Sequence, residues 1–300
     1  VLANDSLGVK GPFMKLSRIV SHFFFFVSCF FCLLSSPSCA ELNLDKLSDS
    51  DIQKVKGLVS VLEPLIIERD RTRDRAKLTF KELYAPLSAE QRAFLKRFEN
   101  LNAKELGVKI PFRGIATGEE DLVLIIGQKV KVRDHKKEGT DKDERELSPQ
   151  FLPTRVYQQY LAMMKNMEKD IGKRLFIESG YRSSAYQLYL FIFYLRNHGY
   201  SIRETVKFVA LPGYSEHGAP RFQGVDFINR DGINGKENPV EFEKLEEYRW
   251  LVKNARRFGF VLSYPKDSPQ GISYEPWHWH FEEGLVQETG PLPSLEPRKK

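Results

Sequence analysis

The sequence predicts an α+β protein, in which a helical N-terminal region leads into a compact domain of mixed helices and short strands. Three observations carry this expectation. Apolar residues recur at helical spacing within 45–105, and again in Val156, Tyr160, Met163, Met164, Met167 and Ile171. Short apolar runs follow at 175–177, 225–228, 260–263 and 277–281, punctuated by Gly, Pro and Ser. With 41% hydrophobic and 29% charged residues over 300 positions, the chain has a globular composition, which excludes disordered and fibrous classes, and its one long apolar run excludes a polytopic membrane protein.

The first element is a leader. Lys15 and Arg18 precede an uncharged run over 23–34. That run has the length of a secretory apolar core and is short of the roughly 20 residues a membrane span needs. Ser38, Cys39 and Ala40 place small residues before Glu41, so cleavage is expected after Ala40. Met14 is the natural start, with 1–13 upstream of it. A retained anchor or a lipidated Cys39 are the other possible fates of the leader. All three cysteines (Cys29, Cys32 and Cys39) lie in this leader. Disulfides therefore do not hold the expected mature fold, and a metal site there must draw on His, Asp and Glu. The formal net charge of +6 suits polyanionic surroundings. No basic block interleaved with aromatics points to nucleic acid.

Residues 41–105 read as helices. Ile52, Val55, Leu58, Val59 and Leu62 share a face, and Ser88 with Gln91 forms a capping box before Phe94, Leu95 and Phe98. The mixed-charge run 68–77 reads as a solvated helix face. Within 106–147, two strands are expected at 122–126 and 129–132, joined at Gly127 and Gln128. A mobile charged loop from Arg133 to Glu146 follows, and His135 within it is not expected to be a ligand.

The compact domain is placed at 148–285. Its first helix carries the methionines as core residues. A strand ends at Ser179 and Gly180. A second helix covers 184–198 and stops at Gly199. Ser201 with Glu204 caps a third helix. A fourth starts at Asn238 and Pro239 and continues through Phe242, Leu245, Leu251 and Ala255 to near Gly259. Residues 286–300 are expected to form a disordered tail.

The chemistry concentrates in two stretches. One contains His217 and Asp226; the other contains Glu275, His278 and His280. Two or three imidazoles and two carboxylates fit a catalytic zinc, with three protein ligands, a position for water and a carboxylate for its proton. His217 lies on a turn, between Gly213 and Gly218. Asp226 sits in an apolar strand, where a carboxylate is costly unless paired or metal-bound; a salt bridge to Arg230 is the alternative. His278 and His280 share one face of a period-2 strand, and spacing alone leaves open which of them binds metal.

Four ordered motifs then carry a resemblance. They are Ser179-Gly180-Tyr181-Arg182-Ser183 with Gln187; Pro212 to His217 with Asp226; Phe258 to Pro265; and Tyr274 to His278. Over about 148–285 the chain resembles the VanY-type D-alanyl-D-alanine carboxypeptidases, zinc peptidases that share their α+β fold with the hedgehog signalling domain. The resemblance implies a Zn2+ ion held by His217, Asp226 and His278, with Glu275 as catalytic base. It implies Arg182 as the group that binds and polarises substrate, with Ser215 and Gln187 as further substrate contacts. Gln187 also reads as the capping partner of Ser184. Trp277 and Trp279 are expected either to wall the cleft or to pack in the core, and Tyr181 and Tyr214 to pack.

Two departures stand out. Eight residues separate His217 from Asp226 where the family usually has six, a longer turn in which Gly224 permits close backbone approach. His280 stands where the family often has Arg. The function implied is trimming of peptidoglycan stem peptides in the bacterial periplasm or outside the cell. The alternatives are L,D-carboxypeptidase or endopeptidase specificity at the same site, and a non-catalytic zinc-containing module that binds cell wall.

Overall fold

The computed structural model describes residues 41–286 apart from 133–142, 220, 237–238 and 268–272. The expected leader, His135 and the tail beyond 286 lie outside these residues. Ser48 accepts a hydrogen bond from the Asp51 N–H and starts α1, Asp49–Arg71, whose buried stripe is Val55, Leu58 and Leu62. Thr79 with Glu82 boxes the start of α2, Phe80–Tyr84. Ser88 with Gln91 does the same for α3, Ala89–Glu99, as the sequence predicts.

Four short strands follow: β1, Leu122–Ile125; β2, Lys129–Lys131; β3, Glu144–Glu146; and β4, Gln150–Pro153. The expected pairing of the first two across Gly127 and Gln128 does not form, because β1 pairs with β4 and β2 with β3, both antiparallel. Gln128 explains the detour. Its buried side-chain amide donates to the Ile177 carbonyl and accepts from the Ile177 N–H, both at 2.9 Å, so it behaves as one more rung on the sheet described next. The last part of the predicted mobile loop is strand β3, fixed by its ladder to β2 and by an ion pair between Arg230 and Glu144. Arg230 is therefore spent on Glu144.

The rest of the chain builds the main sheet and its cover. Its elements are α4, Thr154–Ile171; β5, Leu175–Ser179; α5, Ser184–Tyr194; α6, Ile202–Thr205; β6, Gly224–Asn229; α7, Pro239–Glu243; α8, Glu246–Asn254; β7, Phe260–Leu262; and β8, His278–Phe281. The sheet order is β5-β6-β8-β7, antiparallel throughout. Met163, Met164 and Met167 of α4 and Leu251 of α8 pack with Val225, Phe227, Phe260, Trp279 and Phe281 from the sheet. The long helix expected over 238–259 is broken in two. Leu245 is extended (φ −61°, ψ 143°), and this bend lets both Phe242 and Leu251 reach the core.

A second core joins the N-terminal helices to the part that carries the main sheet. Leu58 and Leu62 of α1, Leu83 of α2 and Leu95 and Phe98 of α3 cluster with Ala185, Leu188, Phe191 and Ile192 of α5. One side of α5 is thus covered by residues that precede 110. Phe191 is fully buried at this junction. Phe191→Ala is expected to cost about 3–5 kcal/mol of unfolding free energy, read from urea unfolding. No helix among the described residues is long and apolar enough to cross a membrane.

Candidate metal centre

Strand alternation sorts the residues of the site. On β6, Val225 and Phe227 point into the core, so Asp226 points the other way. Asp226 lies opposite Ser179 of β5 and His278 of β8, and Gly224 lies opposite His280. His278 and His280 therefore share the Asp226 face, as their spacing predicts. Trp279, between them, belongs to the core. It is 3% exposed and donates its indole N–H to the Pro276 carbonyl at 3.0 Å, and so lines no cleft.

His217 comes from a single 3-10 turn, Glu216–Gly218, after an extended Ser215. Two bonds tie this turn to the loop after β5. The Arg182 N–H donates to the His217 carbonyl at 3.0 Å, and His217 Nδ1 donates to the Gly180 carbonyl at 2.8 Å. The same turn rests on β6. A Cβ on Gly224 would lie 3.0 Å from the Glu216 carbonyl carbon and from the His217 N, so the close approach expected there is present. Gly224→Ala is expected to push the His217 turn outward and to lower stability by about 1–3 kcal/mol, checked by thermal melting of the metal-free protein.

His217, Asp226 and His278 offer ligand atoms that all lie within 4.8 Å of one another. His217 Nε2 is 3.5 Å from Asp226 Oδ2, and His278 Nδ1 is 2.7 Å from Asp226 Oδ1. The outer nitrogen of each ring is already committed, His217 Nδ1 to Gly180 and His278 Nε2 to Glu216 Oε2 at 2.9 Å. The inner nitrogens face the carboxylate. Such outer partners set the tautomer and orientation of metal-binding imidazoles. The donor set therefore fits a divalent cation with nitrogen and oxygen ligands.

Electrostatics agree with the geometry. Burial opposes charge on His278, but its hydrogen bonds to Asp226 and Glu216 outweigh this and push it up to about 10. Two carboxylates thus flank the ring, a negative setting that suits a cation. Burial drives His217 down, toward the neutral form that can donate a lone pair. Burial alone would raise Asp226, but the two imidazoles hold it well below the usual range. Glu275 is pushed up by burial first and then by the charges of Asp226 and Glu216. Its backbone is fixed at both ends, by its N–H to the Tyr264 carbonyl at 3.0 Å and by its carbonyl to the His278 N–H at 3.1 Å.

Arg182 is half-buried beside this cluster, with Asp226 supporting its charge against desolvation and its buried Nε without a partner among the described residues. Gln187 is not the capping partner of Ser184. The helix is capped by Ser183, and Gln187 Nε2 donates to the Ala210 carbonyl at 2.7 Å while its Oε1 is buried without a partner among the described residues. Ser215 is buried at the start of the 3-10 turn, next to Glu216. His280 is not among the convergent ligands: its Nδ1 is 2.8 Å from Ser263 Oγ and 3.8 Å from Glu216 Oε2, and its Nε2 is 2.9 Å from Glu282.

Sequence reasoning missed Glu216, which lies inside one of the four motifs. It is 3% exposed and held down to about 2: burial alone would raise it, but the bond from His278 and the charges of His278 and His280 prevail. The available signal was a carboxylate next to a ligand histidine in a tight turn.

The comparisons with known proteins fall on this part of the chain. The model of the family described as VanY, D-alanyl-D-alanine carboxypeptidase, matches residues 150–284. A D-alanyl-D-alanine carboxypeptidase of Enterococcus faecalis is 44% identical over 80 residues, which are 26% of this chain and 26% of that protein. The bifunctional D-Ala-D-Ala dipeptidase and carboxypeptidase VanXYC of Enterococcus gallinarum is 30% identical over 139 residues, covering 44% of this chain and 67% of that one. A solved structure of the vancomycin-resistance D,D-pentapeptidase VanY with Zn(II) aligns at TM-score 0.36 and 20% identity, over 58% of this chain and 86% of that one. The chain spans about a quarter of the length of the Enterococcus faecalis relative.

Proposed function

Because the chain belongs to the VanY family of D-alanyl-D-alanine carboxypeptidases, we propose that it is a zinc-dependent peptidase that removes the terminal D-alanine from peptidoglycan stem peptides. The observation that carries this reading is the convergence of His217, Asp226 and His278, each imidazole already oriented by a bond on its outer nitrogen. Bound there, zinc supplies the Lewis acidity that makes water nucleophilic near neutral pH.

The chain's own residues do the rest. Glu275 takes a proton from the attacking water and returns it to the departing amine nitrogen. Its burial among negative charges raises its affinity for that proton, which suits a carboxylate that must hold it between two steps. The Arg182 guanidinium donates to substrate oxygen, either the carbonyl as it gains charge or the terminal carboxylate. Its buried Nε, without a partner among the described residues, is donor capacity open to a substrate. Gln187 Oε1 and Ser215 are the further contacts on this side of the site. The cell envelope is the place of action, reached through the leader.

The test is mass spectrometry of defined muropeptides incubated with purified protein, with and without a chelator. Loss of one alanine from pentapeptide, abolished by chelator and restored by zinc, is the expected result. Cleavage of tetrapeptide alone would keep the site chemistry and move the specificity to L,D bonds. No cleavage by zinc-loaded protein would overturn the enzymatic reading.

A further inference from the structure

The metal cluster receives a support from outside the segment that the family model matches. Arg113 lies in the stretch between α3 and β1, ahead of residue 150. Its Nη2 is 3.2 Å from Glu216 Oε1, with the two side chains 18% and 2% exposed. Glu216 uses its other oxygen, Oε2, to hold His278 Nε2 at 2.9 Å. The three residues form a chain through the two carboxylate oxygens, and His280 Nδ1 stands further off, 3.8 Å from Oε2.

Arg113 is itself placed from several sides. Its N–H donates to the Gly213 carbonyl at 2.7 Å, and its guanidinium lies 4.6 Å over the Phe222 ring. The preceding residue, Phe112, meets the Tyr214 ring edge-on at 5.5 Å. Phe112 also fills the space beside Gly213, where a Cβ would fall 2.2 Å from the ring. Gly213 has φ +82°, so its lack of a side chain serves both the turn and the contact. Further along, the Ala116 N–H donates to Ser184 Oγ at 3.0 Å, and the Ser184 N–H donates to the Ala116 carbonyl at 2.8 Å. The stretch is thus fastened to both loops that carry the site.

We propose that Arg113 is a positioning residue of the metal centre. By engaging Glu216 Oε1 it fixes the carboxylate plane so that Oε2 holds His278 Nε2–H, which keeps His278 Nδ1 aimed at Asp226 and His217. Without the guanidinium, a nearly fully buried carboxylate keeps its histidine partners on Oε2 but loses the charged partner of Oε1, and with it a restraint on its rotation. The imidazole it steers is then held less firmly. A fork-shaped donor suits this role because it fixes direction as well as charge. The proposal rests on the reading of the cluster as a zinc site.

The experiment measures zinc affinity of the full chain by competition with a chromophoric chelator, together with the melting temperature of the metal-free protein. Arg113→Met is expected to weaken zinc binding about tenfold, the low end of what outer partners of metal ligands contribute. Arg113→Lys, which keeps the charge and loses the fork, is expected to recover part of that loss. It also stands as the second variant should Arg113→Met not fold. A purely structural arginine would lower the melting temperature and leave the affinity of folded protein unchanged. Zinc affinity within about twofold of the parent protein in both variants, set against the tenfold loss expected, overturns the proposal. A parent chain that takes up no zinc overturns the metal-site reading itself, and a parent that binds tightly beside an unaffected variant overturns only the role of Arg113.

Discussion

Glu275→Ala is expected to slow hydrolysis of stem pentapeptide by about 10²–10⁴-fold, the usual contribution of a positioned acid–base group, while zinc uptake stays intact. The separation follows from where the side chain stands. Glu275 is not among the three residues whose ligand atoms converge, yet it feels the charges of His278, Asp226 and Glu216. Its removal takes one carboxylate from a crowded site, so folding is not expected to suffer. Muropeptide turnover by mass spectrometry and zinc content by atomic absorption check the two halves. Retained turnover would end the assignment of Glu275 as the base.

The second large effect distinguishes two histidines on one strand. His278→Ala is expected to reduce bound zinc from one per chain to almost none, whereas His280→Ala keeps it. His278 points its Nδ1 at Asp226 from 2.7 Å, while His280 spends its two nitrogens on Ser263 and Glu282. Zinc content after dialysis reads the outcome directly. Loss in the His280 variant with retention in the His278 variant would reassign the third ligand.

Much of this architecture was legible in the residues because local physics decides it. The Ser88–Gln91 box, the Met163-Met164-Met167 stripe and the glycine stop at Gly199 are formed as the sequence predicts. Period-2 alternation put His278 and His280 on one face of a strand, and the strand register, which the sequence does not show, brings Asp226 to that face. The failures are tertiary. Gly127 and Gln128 look like a hairpin turn, but the buried Gln128 amide prefers the Ile177 backbone, and each strand finds its partner far along the chain. A continuous apolar stripe over 238–259 does not reveal a bend at Leu245 that serves packing. The cap of α5 is one residue earlier than expected, at Ser183, which leaves Gln187 free of that duty. Arg113 meets Glu216 across 103 positions, and nothing in its neighbourhood marks it.

The shared core around α5 has a consequence for anyone seeking a minimal catalyst. Residues 150–284 contain every proposed ligand and the proposed base, and on paper they could be excised as a module. In the folded molecule, however, Ala185, Leu188, Phe191 and Ile192 are covered by side chains from α1, α2 and α3. Cutting at 150 would strip that cover and leave a greasy ridge on the helix that follows the Arg182 loop. It would also discard the stretch that braces Glu216. The homologous segment is therefore a unit of descent but not of assembly, and grafts or fusions should begin no later than Leu42, where the compact body of the protein starts.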